Sequence, residues 1–249
     1  MKVLIASDLH YSLRQFDWLV TQASQFDAVV IAGDLLDIVS VVEPDVQIVV
    51  VSKYLELLSA KTTVIVCSGN HDGDVKNAAG EFVARWLQNV QSGRIHVDGD
   101  SFKLGDDLVS VCAWWDGKET QAEMVAKLEA AAAIERRRWI WVHHAPPDNE
   151  PVSWTGKRYG GDDFLCGLIG RFEPDIVTSG HIHNAPFLAP KGSWTARLGR
   201  TRVFNPGKQI GAVPSIITLD LEAGRAGFLC IGISEETTLS STSSRLRSL

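Results

Sequence analysis

The sequence predicts an α/β fold. Short β-branched runs, Lys2 to Ser7, Ala28 to Ala32, Thr62 to Cys67, Trp139 to Val142 and Ile176 to Ser179, are mainly apolar and end abruptly in polar, Gly- or His-containing sequence. Such runs are expected of strands covered on both faces. Between them lie segments with helical spacing, at Leu13 to Phe26, Val46 to Leu58, Ala79 to Val90 and Gln121 to Arg137. Strand and helix alternating at this interval argue for βαβ units. After about Arg200 the pattern changes: Arg202 to Phe204, Ser215 to Leu221 and Ala226 to Ile233 are strand-like with only turns between them, which predicts an antiparallel addition or a second sheet.

A chain of 249 residues, 45% hydrophobic and 22% charged, has ordinary globular composition and enough apolar material for a sizeable core. A single domain over residues 1–233 is expected. Residues 234–249, rich in Ser, Thr and charge, are expected to form a flexible tail. The apolar run at the N-terminus is interrupted at Ser7-Asp8, too early for a signal-peptide core, and no later run is long enough to span a bilayer. Cys67, Cys112, Cys166 and Cys230 lack CxxC spacing and read as free thiols, which suits a reducing cytoplasm. The net charge of −6 comes without basic blocks, so duplex nucleic acid is not favoured as a partner. An anionic substrate therefore needs a local positive source, which metal ions would provide.

Five polar clusters follow the buried strands, at the edge where α/β proteins bind ligands. Asp8-Leu9-His10 offers a carboxylate and an imidazole two residues apart. Gly33-Asp34-Leu35-Leu36-Asp37 offers a carboxylate with two oxygens that could bridge two metals. Gly69-Asn70-His71-Asp72 combines an amide oxygen with an imidazole suited to proton donation. Each of these alone would pass for a helix cap or a polar turn. In Val142-His143-His144-Ala145-Pro146 the two histidines point in opposite directions along the strand, so only one is expected to face a metal. Gly180-His181-Ile182-His183 places two imidazoles at i and i+2, on one face. Five separate coincidences at five strand ends are a poorer account than one dinuclear metal centre. His96 stands apart and reads as a structural strand residue.

In this order the motifs resemble the signature of the calcineurin-like metallophosphoesterase superfamily. The resemblance implies a four-layer αββα sandwich with mixed sheets and a dinuclear centre of Mn, Fe, Zn or Co. It implies that Asp8, His10, Asp34 and His183 hold one ion, and that Asp34, Asn70, His143 and His181 hold the other. It assigns His71 as catalytic acid or transition-state donor and Asp37 as the carboxylate that orients it. The usual fourth motif has Pro two residues after the His, whereas here Ala145 intervenes, and His143 is the favoured ligand over His144. Ile38 occupies the position where the Ser/Thr protein phosphatases carry Arg, which disfavours a phosphoprotein phosphatase.

The implied activity is hydrolysis of a phosphate ester, mono- or diester, by a metal-activated hydroxide, on a small phosphorylated substrate. A nuclease with the same centre and a non-catalytic protein-interaction scaffold are the alternatives, and a homo-oligomer stays open. Asn70, His71, His144, Lys157 and Arg158 are the candidate substrate contacts, with Trp154, Tyr159, Trp194, Arg197 and Arg200 weighed evenly between substrate contact and structural roles. Asn205-Pro206-Gly207 reads as a structural turn.

Overall fold

The computed structural model describes residues 1–239. The strands of its first half are β1 (Lys2–Ala6), β2 (Ala28–Ala32), β3 (Thr63–Cys67), β4 (Val75–Lys76), β5 (Phe82–Val83), β6 (Ile95–His96), β7 (Ser101–Leu104) and β8 (Asp107–Val111). Those of the second half are β9 (Trp139–Val142), β10 (Ile176–Thr178), β11 (Thr195–Leu198), β12 (Thr201–Phe204), β13 (Ile216–Asp220), β14 (Arg225–Cys230) and β15 (Ile233–Thr238). The helices are α1 (Leu13–Gln22), α2 (Pro44–Ser59), α3 (Arg85–Val90), α4 (Lys118–Ala132) and α5 (Asp163–Phe172).

One large sheet runs β15-β14-β13-β1-β2-β3-β6 and a second β11-β12-β10-β9-β8-β7, while β4 and β5 pair as a separate two-stranded sheet. In the first, β1, β2, β3 and β6 are parallel and β13, β14 and β15 add antiparallel, as the change of pattern after Arg200 predicts. In the second, β8, β9, β10 and β12 are parallel, with β7 and β11 antiparallel at the edges.

Alternate residues of each strand divide between two environments. Val3, Ile5, Val30 and Ile65 of the first sheet meet Val109, Val111, Ile140 and Phe204 of the second in a core between the sheets. Leu4, Val29, Ile31 and Val64 face outward onto Phe16, Leu19, Val51 and Leu55 of α1 and α2. Leu108, Trp139, Trp141 and Val177 face outward from the second sheet onto α4 and α5 through Met124, Leu128, Leu165 and Ile169. The layers are therefore helix, sheet, sheet, helix. Because the central strands are covered on both faces, they read as unbroken apolar runs.

The structure corrects four expected boundaries. Residues 79–90 are not one helix: Gly80, at φ +82°, tops a turn joining β4 to β5, and only Arg85–Val90 are helical. The Asn77 carboxamide closes that turn by accepting from Ala79 N and Glu81 N at 3.0 Å each. The helix expected over Gln121 to Arg137 is displaced toward the N-terminus, to Lys118–Ala132, because the guanidinium groups of Arg137 and Arg138 are drawn to the buried Asp107 carboxylate. The segment Leu13 to Phe26 ends as α-helix at Gln22 and continues in a short 3₁₀ turn. Ser234–Thr238, expected as the start of a flexible tail, pair with β14 instead, and residues 240–249 of that expected tail lie outside the described residues. No helix among the described residues is long and apolar enough to cross a membrane.

Candidate metal centre

The loops leaving β1, β2, β3, β9 and β10 converge at one end of the sandwich. Asp8 and Asp34 are buried there among imidazoles. His183 Nε2 lies 3.1 Å from Asp8 Oδ1 and 3.2 Å from His10 Nε2. His10 Nε2 is 3.6 Å from Asp34 Oδ2, while His144 Nε2 approaches that same oxygen at 3.2 Å, outside hydrogen-bonding direction. On the far side of Asp34, His181 Nδ1 and Asn70 Oδ1 are 2.9 Å apart.

The local backbone is bent to achieve this. Among the described residues, five of the seven non-glycine residues with positive φ are Asp8, His10, Tyr11, Asp34 and His181, at or next to the cluster. Conformations of this kind cost about 1–3 kcal/mol each and persist where the surroundings enforce them. Gly33, at φ +84°, has no room for a Cβ because the His144 ring packs against it, and a Cβ on Gly69 would collide with the Asp34 carboxylate.

Buried hydrogen bonds hold the loops in register. Asp8 accepts from His181 N through both oxygens at 3.1 Å, and Asp34 Oδ1 accepts from His71 N at 2.9 Å. His144 Nδ1–H donates to Ala32 O at 2.7 Å, which turns Nε2 toward Asp34. Asp72, fully buried, accepts from Leu35 N and Leu36 N at 2.9 Å and from Gly69 N at 2.8 Å, joining the Asp34 loop to the Asn70 loop. Asn205 donates to Val152 O and Ile182 O and accepts from Gly207 N, which agrees with a structural role for the Asn-Pro-Gly turn.

The electrostatics follow from burial and this crowding. Burial would raise the Asp8 and Asp34 carboxyls, but the His183 hydrogen bond at Asp8 and the His144 charge beside both hold them below the usual carboxylate range. Burial pushes His10 down to about 4 against the Asp34 charge, and pushes His181 down to about 4 as well, aided by His144. His144 goes the other way, to about 9: burial lowers it, but the Asp34 carboxylate, the Asp8 charge and the Ala32 carbonyl together outweigh that cost.

A metal site fits these residues. Two imidazole nitrogens 3.2 Å apart beside a carboxylate, as His10 and His183 are, have a common use for a cation. Among the described residues the buried His144 Nε2 has no hydrogen-bond partner, and neither has His143 Nε2, but only His144 lies against Asp34. Asp8, His10, Asp34 and His183 form one group with ligand atoms within 4.8 Å of one another, and Asp34, His144 and His181 form a second, so that Asp34 belongs to both.

Of the expected ligands, the structure brings Asp8, His10, Asp34, Asn70, His181 and His183 together and leaves His143 apart. The structure brings His144 to Asp34 and His181, whereas His143 leaves the cluster: its ring stacks on Trp115 at 3.9 Å and its Nδ1–H donates to Cys112 O at 3.3 Å. Burial pushes His143 down to about 4. Asp37 lies within 4.8 Å of ring nitrogens of His10 and His71, but His71 Nδ1 is buried without a hydrogen-bond partner. The expected orienting bond from Asp37 is therefore not formed; the Asp37 carboxylate accepts from Val39 N instead.

Lys157 and Arg158 sit exposed on a turn closed by the Thr155 hydroxyl, and among the described residues no hydrogen bond or ion pair ties them to the cluster. Trp194 is core, stacked on Phe204 and Phe228, and Arg200 pairs with Asp175. His96 is in β6 with its ring against Phe102.

Sequence reasoning missed two neighbours of the site. The Trp114 ring lies 5.5 Å from that of His181 and 5.7 Å from that of His144. Lys208 donates its backbone N–H to His183 O, and its half-buried ammonium feels the charges of Asp8, Asp37 and Asp34. Burial lowers its pKa.

Comparison with known families agrees with the geometry. Residues 1–185 match the model of the calcineurin-like phosphoesterase family. The chain belongs to that family. Phosphoester hydrolysis with divalent metals is the chemistry of calcineurin-like phosphoesterases, and the residues gathered here could hold a metal ion.

Solved structures share the fold at low identity. The Thermus thermophilus protein TT1561 superposes with a TM-score of 0.59 at 18% identity, over 96% of this chain and 99% of that one. Purple acid phosphatase PPD1 from yellow lupin (Lupinus luteus) seeds gives a TM-score of 0.56 at 13% identity, over 96% of this chain and 51% of the lupin chain. No curated protein matches the chain in sequence.

Proposed function

We propose that this calcineurin-like phosphoesterase hydrolyses a phosphomonoester or phosphodiester with two divalent cations, drawn from Mn, Fe, Zn and Co. The observation that carries this reading is the sharing of the buried Asp34 between two ligand groups. Asp8, His10 and His183 would hold one ion and Asn70, His144 and His181 the other, with Asp34 common to both. When bound, such ions stabilise phosphoryl oxygens as Lewis acids and lower the pKa of water.

The protein's own groups account for the remaining needs. The mainly neutral imidazoles at His10 and His181 are ready to act as ligands at neutral pH. Bent loops tied through Asp72 and Asp8 fix the donors before substrate arrives, so little reorganisation is left for the reaction. His71 is the proton donor to the departing oxygen: it adjoins Asn70, and its Nε2 is 3.9 Å from Asp34 Oδ2.

The test is hydrolysis of p-nitrophenyl phosphate and bis-p-nitrophenyl phosphate by metal-stripped protein, with Mn²⁺, Zn²⁺, Co²⁺ or Fe²⁺ restored separately. Turnover that returns with metal supports the reading, and the preferred ester separates phosphatase from phosphodiesterase. Folded protein that takes up metal and cleaves neither ester would count against it.

A further inference from the structure

A cleft of about 340 Å³ adjoins Asn70 and His71 and is walled by Ile38, Phe82, Val83 and Trp114. Its size lies within the range of small-molecule sites, roughly 300–1,000 Å³. Besides His71, the only ionisable group among the described residues lining it is Asp116; no lysine or arginine is among them. The nearby Lys76 ammonium is engaged over the Phe82 ring, 4.8 Å from its centroid. A second cavity of about 270 Å³ shares Ser68, Val83, Ala84 and Trp114 with the cleft.

The walls are built rather than loose. Phe82 N donates to Asp116 Oδ2 at 2.9 Å, and Trp114 N donates to Ser68 Oγ at 2.9 Å. Glu81 accepts from Glu119 N and Thr120 N at the start of α4, which pins the β4–β5 hairpin to that helix. At Gly73 the hairpin passes so close that an added Cβ would lie 3.0 Å from Phe82 Cβ. Phe82 is nevertheless 47% exposed and Ile38 62% exposed, two apolar side chains left facing water at the cleft.

We propose that this cleft receives the leaving alcohol of the substrate, and that this alcohol is a planar aromatic group, neutral or cationic, stacked on Trp114 and Phe82. The inference rests on the hydrolase reading above and deepens it. The donor to the departing oxygen, His71, lines the cleft, so whatever is attached to that oxygen enters it. Trp114 reaches from the ligand imidazoles to the cleft wall and offers a flat face. An anionic alcohol would meet the Asp116 carboxylate with no lysine or arginine among the described lining residues to offset it, the nearby Lys76 being held over the Phe82 ring, whereas a hydroxyl, amine or cationic substituent would find an acceptor there.

The experiment compares esters of 1-naphthol with those of 4-sulfo-1-naphthol, each as the monoester and the methyl diester, on metal-reconstituted protein. Wild type, Trp114→Ala and Phe82→Ala are compared, with Trp154→Ala as a control and metal content measured throughout. Wild type should prefer the uncharged naphthyl ester by about tenfold or more in kcat/KM, and Trp114→Ala should remove about tenfold through KM with metal content unchanged. Phe82→Ala, at a partly exposed position, should act in the same direction if Trp114→Ala fails to fold. Equal cleavage of neutral and sulfonated esters, or a ratio unmoved by both variants, overturns the proposal. Binding of 1-naphthol to the protein, followed by its fluorescence, gives a readout independent of turnover. If no ester is cleaved, the hydrolase reading fails; naphthol binding unchanged by Trp114→Ala sinks the cleft separately.

Discussion

Asp72 carries no metal or substrate in this account, yet replacing it should be among the most damaging single changes in the protein. Its carboxylate is the acceptor for three buried backbone donors, Leu35 N, Leu36 N and Gly69 N. Asp72→Ala leaves those N–H groups without a partner at a position of zero solvent exposure. Each orphaned buried donor costs about 1–3 kcal/mol, so the gross loss is roughly 3–9 kcal/mol. Part of this is offset, because burial and the neighbouring Asp34 charge already push the Asp72 carboxyl up to about 8. A net loss of about 3–5 kcal/mol is expected, a large fraction of the ~5–15 kcal/mol that holds a typical domain folded. Urea denaturation of metal-free protein reads it directly, as a lower midpoint at unchanged slope. Asp72→Asn keeps one carbonyl acceptor and should fall between the two. A change below about 0.5 kcal/mol for Asp72→Ala would refute the reasoning, since it would mean that the two loops are held by something else.

Three further outcomes are expected. His144→Ala should reduce bound metal while His143→Ala leaves metal content intact, and the reverse pattern in elemental analysis would restore His143 as the ligand. His71→Ala should slow ester hydrolysis about 10²- to 10⁴-fold with metal content unchanged, and full activity in that variant would remove its role as proton donor. In the metal-free protein His10, His143 and His181 are held near 4 when folded but take up protons near 6.5 when unfolded, so these three cost stability as pH falls from 6.5 toward 4, against the opposite contribution of the Asp72 and Asp98 carboxyls, pushed up to about 8 and about 6. Denaturation midpoints should therefore drop more between pH 7 and pH 5 in wild type than in His143→Gln, and an equal drop in both would contradict this.

The central site was legible in the sequence to the extent that its residues end buried strands. Asp8, Asp34, Asn70 and His181 each follow a run of both-face-covered β residues, so their loops must emerge on the same edge of the sandwich. The choice between His143 and His144 was not legible, because alternation along β9 says that they point apart without saying which way the site lies. Trp114 was hidden for a related reason. It follows β8, which begins at the charged Asp107 and was not recognised as a strand, so nothing indicated that this tryptophan leaves a sheet edge beside the histidines. Asp72 was visible as part of a polar turn, but its partners are backbone amides on another loop, which no side-chain pattern records. The helical spacing of residues 79–90 was overridden by Gly80 and the Asn77 turn. β15 is an edge strand with an exposed Ser-Glu-Glu sequence, and without a buried face it leaves no two-residue apolar period to read.

The most direct test of the central claim is a titration of metal-stripped protein with Mn²⁺ while hydrolysis of bis-p-nitrophenyl phosphate and p-nitrophenyl phosphate is followed, with Asp34→Asn alongside. If Asp34 joins two ions in one hydrolytic centre, turnover should appear and saturate at about two equivalents per chain, and Asp34→Asn should show almost none. Saturation at one equivalent, or an Asp34→Asn variant as active as wild type, would contradict it.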